Sequence, residues 1–348
     1  MRTPEFWYPA PGGTTLGART LTLALTPASW LWAAAARRRA AQHPQWSAPV
    51  PVVCIGNLVA GGAGKTPVVR ALAHALLHGG HSQSAAATPP AALPHVLLRG
   101  HGGRMGGPVR VDPSRHNARD VGDEALLHAR VVPTWVGRDR VALARAAVAD
   151  GAGVLLLDDG FQDPALAKTL SLIVIDGESG FGNGRLIPAG PLREPVADGL
   201  VRADGVVILG DDRFTIAPHL SPELARLRAR LEPDHAMRSL AGETIVAFAG
   251  IGRPHKVFRM LEEVGSRVVA TRAFADHHVY SDGDMQHLVS LAKRHNAQLV
   301  TTAKDHVRLP AAAQAQVSAV DVEVRWCDDL ALGGLLARLG TPATMTAD

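Results

Sequence analysis

Short apolar runs alternate with segments of helical periodicity along most of this chain. Uninterrupted apolar runs are typical of strands that a sheet buries on both faces. They occupy residues 50–55, 96–98, 154–157, 172–175 and 206–209. Helical segments occupy residues 68–77, 124–130 and 141–150. Strands that alternate with helices predict an α/β fold built on a doubly wound parallel sheet.

A break in composition near residues 233–241 divides this pattern in two. After the break, predicted strands occupy 244–249, 267–270, 298–302 and 320–324, and a predicted helix occupies 254–264. We therefore expect an N-terminal region at 1–48, a larger domain at 49–240 and a smaller α/β domain at 241–348. The ligand cleft is expected between the two domains.

A low-complexity stretch interrupts the larger domain. The helix that begins near residue 68 is expected to end at Gly79-Gly80. Residues 81–94, with the sequence HSQSAAATPPAALP, are expected to form a flexible surface insertion.

The turn between the first predicted strand and helix has the sequence IGNLVAGGAGKTP, residues 55–67. A glycine-rich turn in this position is typical of a phosphate-binding loop, because its backbone N–H groups and the helix N-terminus attract phosphate oxygens. The candidate nucleotide-binding residues are Gly61, Gly62, Ala63, Gly64, Lys65 and Thr66. Lys65 would reach the β- and γ-phosphates, and the Thr66 hydroxyl would bind Mg²⁺. Val59 stands where the common pattern has a glycine, so a glycine-rich surface turn stays the alternative.

Two acidic pairs are further candidates. Asp158 and Asp159 end a predicted strand, where the acidic partner of Mg²⁺ is expected in a nucleotide-binding fold; a turn-forming role is the alternative. Asp123 and Glu124 stand at a predicted helix start. There they either stabilise the helix N-terminus or supply a base for a substrate hydroxyl.

The C-terminal region carries two polar motifs. In Asp276-His277-His278-x-Tyr280, an Asp–His pair can orient a catalytic group or tune its pKa, and a transition-metal site is the weaker alternative. The segment 302–305, Thr-Ala-Lys-Asp, resembles the guanine-reading element of GTPases. No Asp-x-x-Gly switch follows at a suitable spacing, so we predict no guanine site.

The composition fits a globular protein with an anionic ligand or surface as its partner. The chain has 348 residues, 47% of them apolar and 20% charged, with a net charge of +4 and a pI near 9.4. This mild basicity suits a phosphorylated ligand or an anionic membrane surface. The sequence has no stripe of basic residues interleaved with aromatic residues, so it does not predict a nucleic-acid partner. Cys54 and Cys327 are isolated, which favours a reducing cytosolic location.

The N-terminal region has the features of an interfacial helix. Residues 20–36 carry no charge and precede Arg37-Arg38-Arg39, an order opposite to that of a signal peptide. The stretch contains Pro27 and falls short of the about 20 apolar residues of a spanning helix. Six of the fifteen aromatic residues lie in the first 46 positions, and Trp beside Arg is typical of anchoring at lipid headgroups. A buried core helix and a spanning helix stay open as alternatives.

Taken in order, these segments resemble the tetraacyldisaccharide 4′-kinase family, the lipid A 4′-kinases of Gram-negative bacteria. The likeness covers nearly the whole chain. It rests on the loop 55–67, Arg99-Gly100, Gly122-Asp123-Glu124, DDGFQ at 158–162, FGNG and LxPAGPLRE within 181–194, AGIGxP at 249–254, FxDHHxY at 274–280 and TxKD at 302–305.

The resemblance implies transfer of the ATP γ-phosphate to the 4′-hydroxyl of a tetraacylated glucosamine disaccharide 1-phosphate, giving lipid IVA. It also implies peripheral or monotopic attachment to the cytoplasmic face of the inner membrane through the N-terminal helix. By the family's motifs, Asp123 would be the base, assisted by His277, and Lys65 and Thr66 would hold phosphates and Mg²⁺. Asp158 and Asp159 would support the metal and the loop. The substrate headgroup would lie near Arg193 and Glu194, with Arg140 a weaker match.

Three positions depart from the family pattern: His101 stands where tyrosine is usual, Asp163 where histidine is common and Ala303 where glutamate is frequent. Two other functions stay open at this point. One is a membrane-associated switch ATPase of the deviant phosphate-loop class. Proteins of that class carry a signature lysine before the paired glycines, where this chain has Ala60. The other is a membrane-bound lipid-recognition module with a vestigial nucleotide site.

Overall fold

Two sheets organise the described residues, 4–8, 15–78 and 93–340, of this computed structural model. The strands in chain order are β1 (Val52–Gly56), β2 (Pro94–Leu98), β3 (Val109–Arg110), β4 (Thr134–Val136), β5 (Val154–Asp158), β6 (Leu170–Asp176), β7 (Gly205–Leu209), β8 (Ala225–Pro233), β9 (Thr244–Ala249), β10 (Arg267–Ala273), β11 (Gln298–Thr302), β12 (Ser318–Val320) and β13 (Val322–Trp326). The α-helices are α1 (Leu16–Ala40), α2 (Lys65–His78), α3 (Ala118–Val121), α4 (Asp123–Ala129), α5 (Arg140–Ala149), α6 (Val196–Val201), α7 (His235–Arg238), α8 (Pro254–Glu263), α9 (Asp282–Arg294), α10 (Ala303–His306), α11 (Ala311–Gln314) and α12 (Asp329–Ala337).

The larger sheet has nine strands in the order β13-β8-β7-β6-β1-β5-β2-β4-β3. Its central seven strands are parallel, and β3 and β13 add antiparallel edges. Strands β1, β2, β5 and β7 are buried at every position, as their apolar sequences predicted. This sheet confirms the predicted doubly wound α/β fold. Because ligands of such folds bind outside the carboxyl ends of the strands, the loops after β1, β2 and β5 mark the expected site.

The smaller sheet is parallel, in the order β10-β9-β11-β12. Helices α8 and α9 pack against it, and its core includes Phe248 and Leu288. The predicted strands 244–249 and 298–302 match β9 and β11 at both ends.

The predicted strand 320–324 is wrong, because the chain changes sheets at Asp321. Val320 ends β12 in the smaller sheet, and Val322 begins β13 in the larger one. The Asp321 carboxylate accepts a hydrogen bond from the Arg70 guanidinium on α2. Residues 322–326 and α12, which packs against β8, therefore lie with the larger sheet. The domain boundaries near residues 48 and 240 stay predictions. The structure adds that the chain returns to the larger sheet after residue 321.

Helix α1 lies on the surface of the molecule. Only Ser29 and Ala33 are buried, whereas the apolar side chains of Leu16, Leu23, Trp30 and Leu31 are 64–80% exposed. This exposure argues against the core-helix alternative. None of the helices in the described ranges combines the length and apolar character that crossing a bilayer requires.

The helix is attached to the loop between β6 and α6. The Ser29 hydroxyl donates to the Leu186 carbonyl at 2.9 Å, and the Trp32 indole donates to the Arg193 carbonyl at 2.8 Å. Arg37 pairs with Asp198 at 2.7 Å. The predicted helix end at Gly79-Gly80 and residues 81–92 of the predicted insertion lie outside the described residues.

Candidate active site

The glycine-rich loop joins β1 to α2, as predicted, and spans residues 57–64. Gly61 and Gly64 have φ of 112° and 83°, in the region that favours glycine. At Gly64 a Cβ would also lie 2.4 Å from Leu209 Cδ1, so a larger residue would have to displace that side chain. Within the described ranges, the N–H groups of Gly62, Ala63 and Gly64 donate to no protein oxygen. The loop therefore offers backbone donors of the kind that phosphate oxygens accept.

A neighbouring segment holds this loop in place. Ala60 N–H donates to the Pro191 carbonyl, and Arg193 N–H donates to the Leu58 carbonyl, both at 2.7 Å. These two bonds place the Arg193 side chain at the edge of the loop.

Asp159 joins the loop lysine to Arg193. Its Oδ1 lies 3.4 Å from Lys65 Nζ and 2.8 Å from Arg193 Nη1. Burial acts to raise the pKa of Asp159, but the positive charges of Lys65 and Arg193 outweigh it and lower that pKa to about 2. The residue has a φ of 57°, which is uncommon outside glycine. The structure thus brings three of the predicted site residues into one charged cluster.

Asp158 lies deeper, with 2% of its surface exposed. Its Oδ2 accepts a hydrogen bond from the Thr66 hydroxyl at 3.4 Å and lies 2.9 Å from His128 Nε2. Its Oδ1 is buried and has no partner among the described residues. His128 is fully buried on α4 and is a contact that the sequence reasoning missed.

Arg140 and Glu194 are buried, whereas residues that contact a substrate headgroup are expected to be exposed. Arg140 is 3% exposed and donates to the carbonyls of Leu97 and Asp158 at 3.0 and 3.2 Å. It thereby ties the ends of β2 and β5 together. Glu194 is also 3% exposed; its carboxylate pairs with the Arg202 guanidinium and accepts from Gln162 Nε2 at 3.0 Å. These contacts favour positioning roles over direct contact with a substrate.

The second cluster joins the two sheets. Asp123 begins α4, and its Oδ2 lies 2.9 Å from His277 Nδ1 and 3.3 Å from Arg308 Nε. Asp123 is only 3% exposed. Burial acts to raise its pKa, but the hydrogen bond with His277 and the charges of Lys304, His277 and Arg308 together lower it. A buried carboxylate that stays ionised beside an imidazole can accept a proton from a hydroxyl.

A buried network fixes Arg308. Asp305 accepts hydrogen bonds from Gly250 N–H at 2.8 Å, from Tyr280 Oη at 2.6 Å and from Arg308 Nη2 at 2.8 Å. Because Asp305 is fully buried and bonded within the protein, this motif supports the site from behind and offers no base-reading group. Lys304 pairs with Glu124 at 3.0 Å.

Two other histidines, His278 and His101, lie next to His277 and make different contacts. His278 faces Asp284 at 3.2 Å and stacks on Phe274, with ring centroids 4.6 Å apart. The ring of His101, one of the departures from the family pattern, lies edge-on to His277 at 5.6 Å. Across the described ranges, no group of three or more His, Cys, Asp or Glu side chains could hold a metal ion.

Helix α4 connects the second cluster to Asp158. It carries Asp123 at its first residue and His128 at its sixth, so about 7.5 Å of helix axis separates them at 1.5 Å per residue. Gly122 precedes the helix with a φ of 88°, and a Cβ there would lie 2.6 Å from the His101 carbonyl. Glycine at this position lets α4 begin close to the loop that follows β2.

Comparisons with known proteins identify the family of this chain. The family model for LpxK, tetraacyldisaccharide-1-P 4′-kinase, matches residues 21–340. The tetraacyldisaccharide 4′-kinase of Rhodospirillum centenum is 54% identical over 341 residues, 97% of each chain. That of Gluconacetobacter diazotrophicus is 49% identical over 336 residues, again 97% of each chain.

A solved structure extends the comparison to the fold. The crystal structure of the "apo" form of LpxK from Aquifex aeolicus in complex with ATP has a TM-score of 0.73 and 25% identity to this chain. The match covers 92% of this chain and 99% of that one. The chain therefore belongs to the LpxK family of tetraacyldisaccharide-1-P 4′-kinases, and it is an ATP-dependent kinase of lipid A biosynthesis.

Proposed function

We propose that this chain transfers the γ-phosphoryl group of ATP to the 4′-hydroxyl of a tetraacyldisaccharide 1-phosphate and releases ADP and lipid IVA. The contact between Asp123 and His277 carries the proposal. It sets an ionised carboxylate at the start of α4, and the same helix contacts Asp158 behind the glycine-rich loop. A base for the acceptor and a cradle for the donor phosphates are thus connected by one short helix.

The donor half of the site supports ATP as the phosphate source. LpxK of Aquifex aeolicus has been solved in complex with ATP. In this chain, the N–H groups of the loop and the Lys65 ammonium would hold the β- and γ-phosphates. Because phosphoryl transfer depends on positioning and on neutralising the phosphate oxygens, these groups would supply most of the catalysis on the donor side.

The residues near Thr66 fit Mg²⁺. This ion prefers oxygen ligands, keeps several waters and is usually held by one or two protein groups together with substrate phosphates. Asp158 offers a buried Oδ1 that has no partner within residues 4–8, 15–78 and 93–340, and the Thr66 hydroxyl donates to Oδ2 of the same carboxylate. Thr66 and Asp158 would hold the ion, with Asp159 keeping Lys65 in place. When bound, Mg²⁺ would neutralise charge on the phosphate oxygens.

On the acceptor side, Asp123 would accept the proton of the 4′-hydroxyl as its oxygen bonds to phosphorus. His277 and Arg308 would keep the carboxylate ionised and oriented, since both contact its Oδ2. Arg193, whose side chain is 25% exposed, would meet the substrate headgroup. Glu194 and Arg140, both buried, would position the segments that carry Arg193 and Asp158.

The placement of α1 supports attachment to the cytoplasmic face of the inner membrane. Its exposed Trp30 and Leu31 and the following arginines would enter the headgroup region. Because Trp32 on this helix bonds to the Arg193 carbonyl, the attached surface would lie close to the acceptor residues. A lipid substrate could then reach the site from the bilayer surface.

Neither alternative function is favoured. The Ala60 position, where deviant switch ATPases carry a signature lysine, contributes only a backbone bond to Pro191. A lipid-recognition module would have no use for the charged cluster of Lys65, Asp159 and Arg193 or for the ionised Asp123.

The experiment is to measure ADP release from ATP and Mg²⁺ with and without a tetraacyl disaccharide 1-phosphate. We expect ADP release to depend on the lipid and to be lost in Lys65→Ala. Equal release without the lipid, together with ATP-dependent dimerisation, would support a switch ATPase instead. Absence of ATP binding with intact lipid binding would support the recognition module.

A further inference from the structure

A histidine that the proposed mechanism does not use lies behind the cation-binding carboxylate. His128 is 0% exposed, and its Nε2 lies 2.9 Å from Asp158 Oδ2. Its Nδ1 has no partner among the described residues. A buried ring nitrogen without a hydrogen bond is destabilising, because nothing compensates for the water it has lost. An apolar residue would fill this space on α4 without that cost, so the bond to Asp158 requires an explanation.

The tautomer follows from the partner. A carboxylate oxygen accepts hydrogen bonds, so this contact requires an N–H at Nε2, and we assign the bond as running from His128 to Asp158. The Thr66 hydroxyl approaches the same Oδ2 at 3.4 Å. Two donors thus face one carboxylate oxygen, and the other, Oδ1, has no partner in the part of the chain that the structure describes.

We propose that His128 is a positioning residue that fixes the rotation of the Asp158 carboxylate, so that Oδ1 is presented to the cation at the phosphate loop. The inference rests on the proposed function only in its assignment of Asp158 to Mg²⁺. Groups that hydrogen-bond to a metal ligand orient it, and removing them typically weakens metal affinity or activity by about 10–100-fold.

The position of His128 gives the bond a second consequence. Asp123 and His128 share α4, so the bond ties the helix that carries the base to the strand that carries the metal ligand. Without this bond, Asp123 and the Asp158 carboxylate are both held less firmly. We therefore expect weaker cation binding together with a lower kcat, and little change in the KM for the lipid, because Arg193 lies on another segment.

The test compares His128→Gln with His128→Met. The two side chains have similar length, but only glutamine carries an amide that can donate to Asp158. His95→Leu is the control for loss of a buried histidine, because His95 is also 0% exposed and, among the described residues, its side chain hydrogen-bonds only to Trp135. The first readout is the Kd of Mn²⁺, measured by electron paramagnetic resonance with a non-hydrolysable ATP analogue and no lipid. The second is the Mg²⁺ concentration that gives half-maximal turnover.

We expect His128→Met to raise both values at least about tenfold, and His128→Gln to stay within roughly threefold of the wild type. We expect His95→Leu to lower the melting temperature without changing either value. Equal behaviour of the Met and Gln variants, or an equal metal defect in His95→Leu, would overturn the proposal. Because Mn²⁺ binding is measured without lipid, a failure of lipid phosphorylation by the wild type would be seen separately.

Discussion

His277 Nδ1 lies 2.9 Å from Asp123 Oδ2, although 154 residues separate them in the chain. Asp123 follows β3 of the larger sheet, and His277 follows β10 of the smaller sheet. The proposed base and its partner thus come from segments that follow different sheets, so the relative placement of the two sheets decides whether the pair exists. The ion pairs from Asp176 to Lys256 and from Lys304 to Glu124 also cross between them.

Replacing Asp123 should separate chemistry from nucleotide binding. In Asp123→Ala we expect kcat to fall by about 10²–10⁴-fold, the usual contribution of a positioned base, while ATP binds as before. Asp123→Asn keeps the shape and should lose a similar amount. Turnover and ATP titration calorimetry measure the two effects, and normal turnover in either purified variant would remove Asp123 from the mechanism.

Removing the His277 ring should move the pH dependence of the reaction. The hydrogen bond from His277 and its charge are among the interactions that lower the pKa of Asp123 against its burial. Without them this pKa rises, so the acidic limb of kcat/KM should move to higher pH in His277→Ala.

His278→Ala is the matched control, because His278 faces Asp284 and Phe274 and makes no contact with Asp123. It should keep the wild-type profile. A profile that does not change in His277→Ala would argue for a purely structural role of that ring.

Asp159 should make folding stability sensitive to acid. Its pKa in the folded protein is about 2, below its ordinary value of 3.8, so the folded state binds its proton less readily than the unfolded chain. The stabilisation is present above the ordinary value and is lost as the pH falls toward 2. Urea unfolding between pH 5 and pH 2 should therefore show a shallower acid loss in Asp159→Asn than in the wild type. Parallel curves would mean that Lys65 and Arg193 do not stabilise the ionised Asp159 in the folded protein.

The exposed apolar side of α1 should bind anionic membranes. A double substitution, Trp30→Glu with Leu31→Glu, should weaken binding to phosphatidylglycerol vesicles without lowering the melting temperature, since both side chains are largely exposed. Leu330→Glu, at a leucine that is 74% exposed on α12, is the control. Equal vesicle flotation by the wild type, the double variant and Leu330→Glu would contradict a membrane role for α1.

Much of the fold could be predicted because the buried parallel strands are uninterrupted apolar runs. The predicted strands at β9 and β11 needed no tertiary information. Strand β8 escaped prediction because it alternates buried Leu227 and Ala229 with exposed arginines next to the antiparallel edge. The break at Asp321 also escaped, because it depends on a partner, Arg70, that is 251 residues away.

The candidate site divides in the same way. Motif residues with a fixed spacing to a strand end, such as Lys65 and Asp159, could be found from the sequence because β1 and β5 are neighbours in a parallel sheet. His128 and Arg308 carried no such signal. Each stands in an ordinary helical context, and only the packed structure shows that it contacts Asp158 or Asp123.

Identifying the product by mass spectrometry tests the central claim most directly. The purified protein would be incubated with ATP, Mg²⁺ and a tetraacyl disaccharide 1-phosphate, beside Lys65→Ala and Asp123→Ala. We predict one added phosphate on the distal glucosamine for the wild type, and almost none for either variant. An unmodified lipid with the wild type, or equal phosphorylation by the Lys65→Ala protein, would contradict the account.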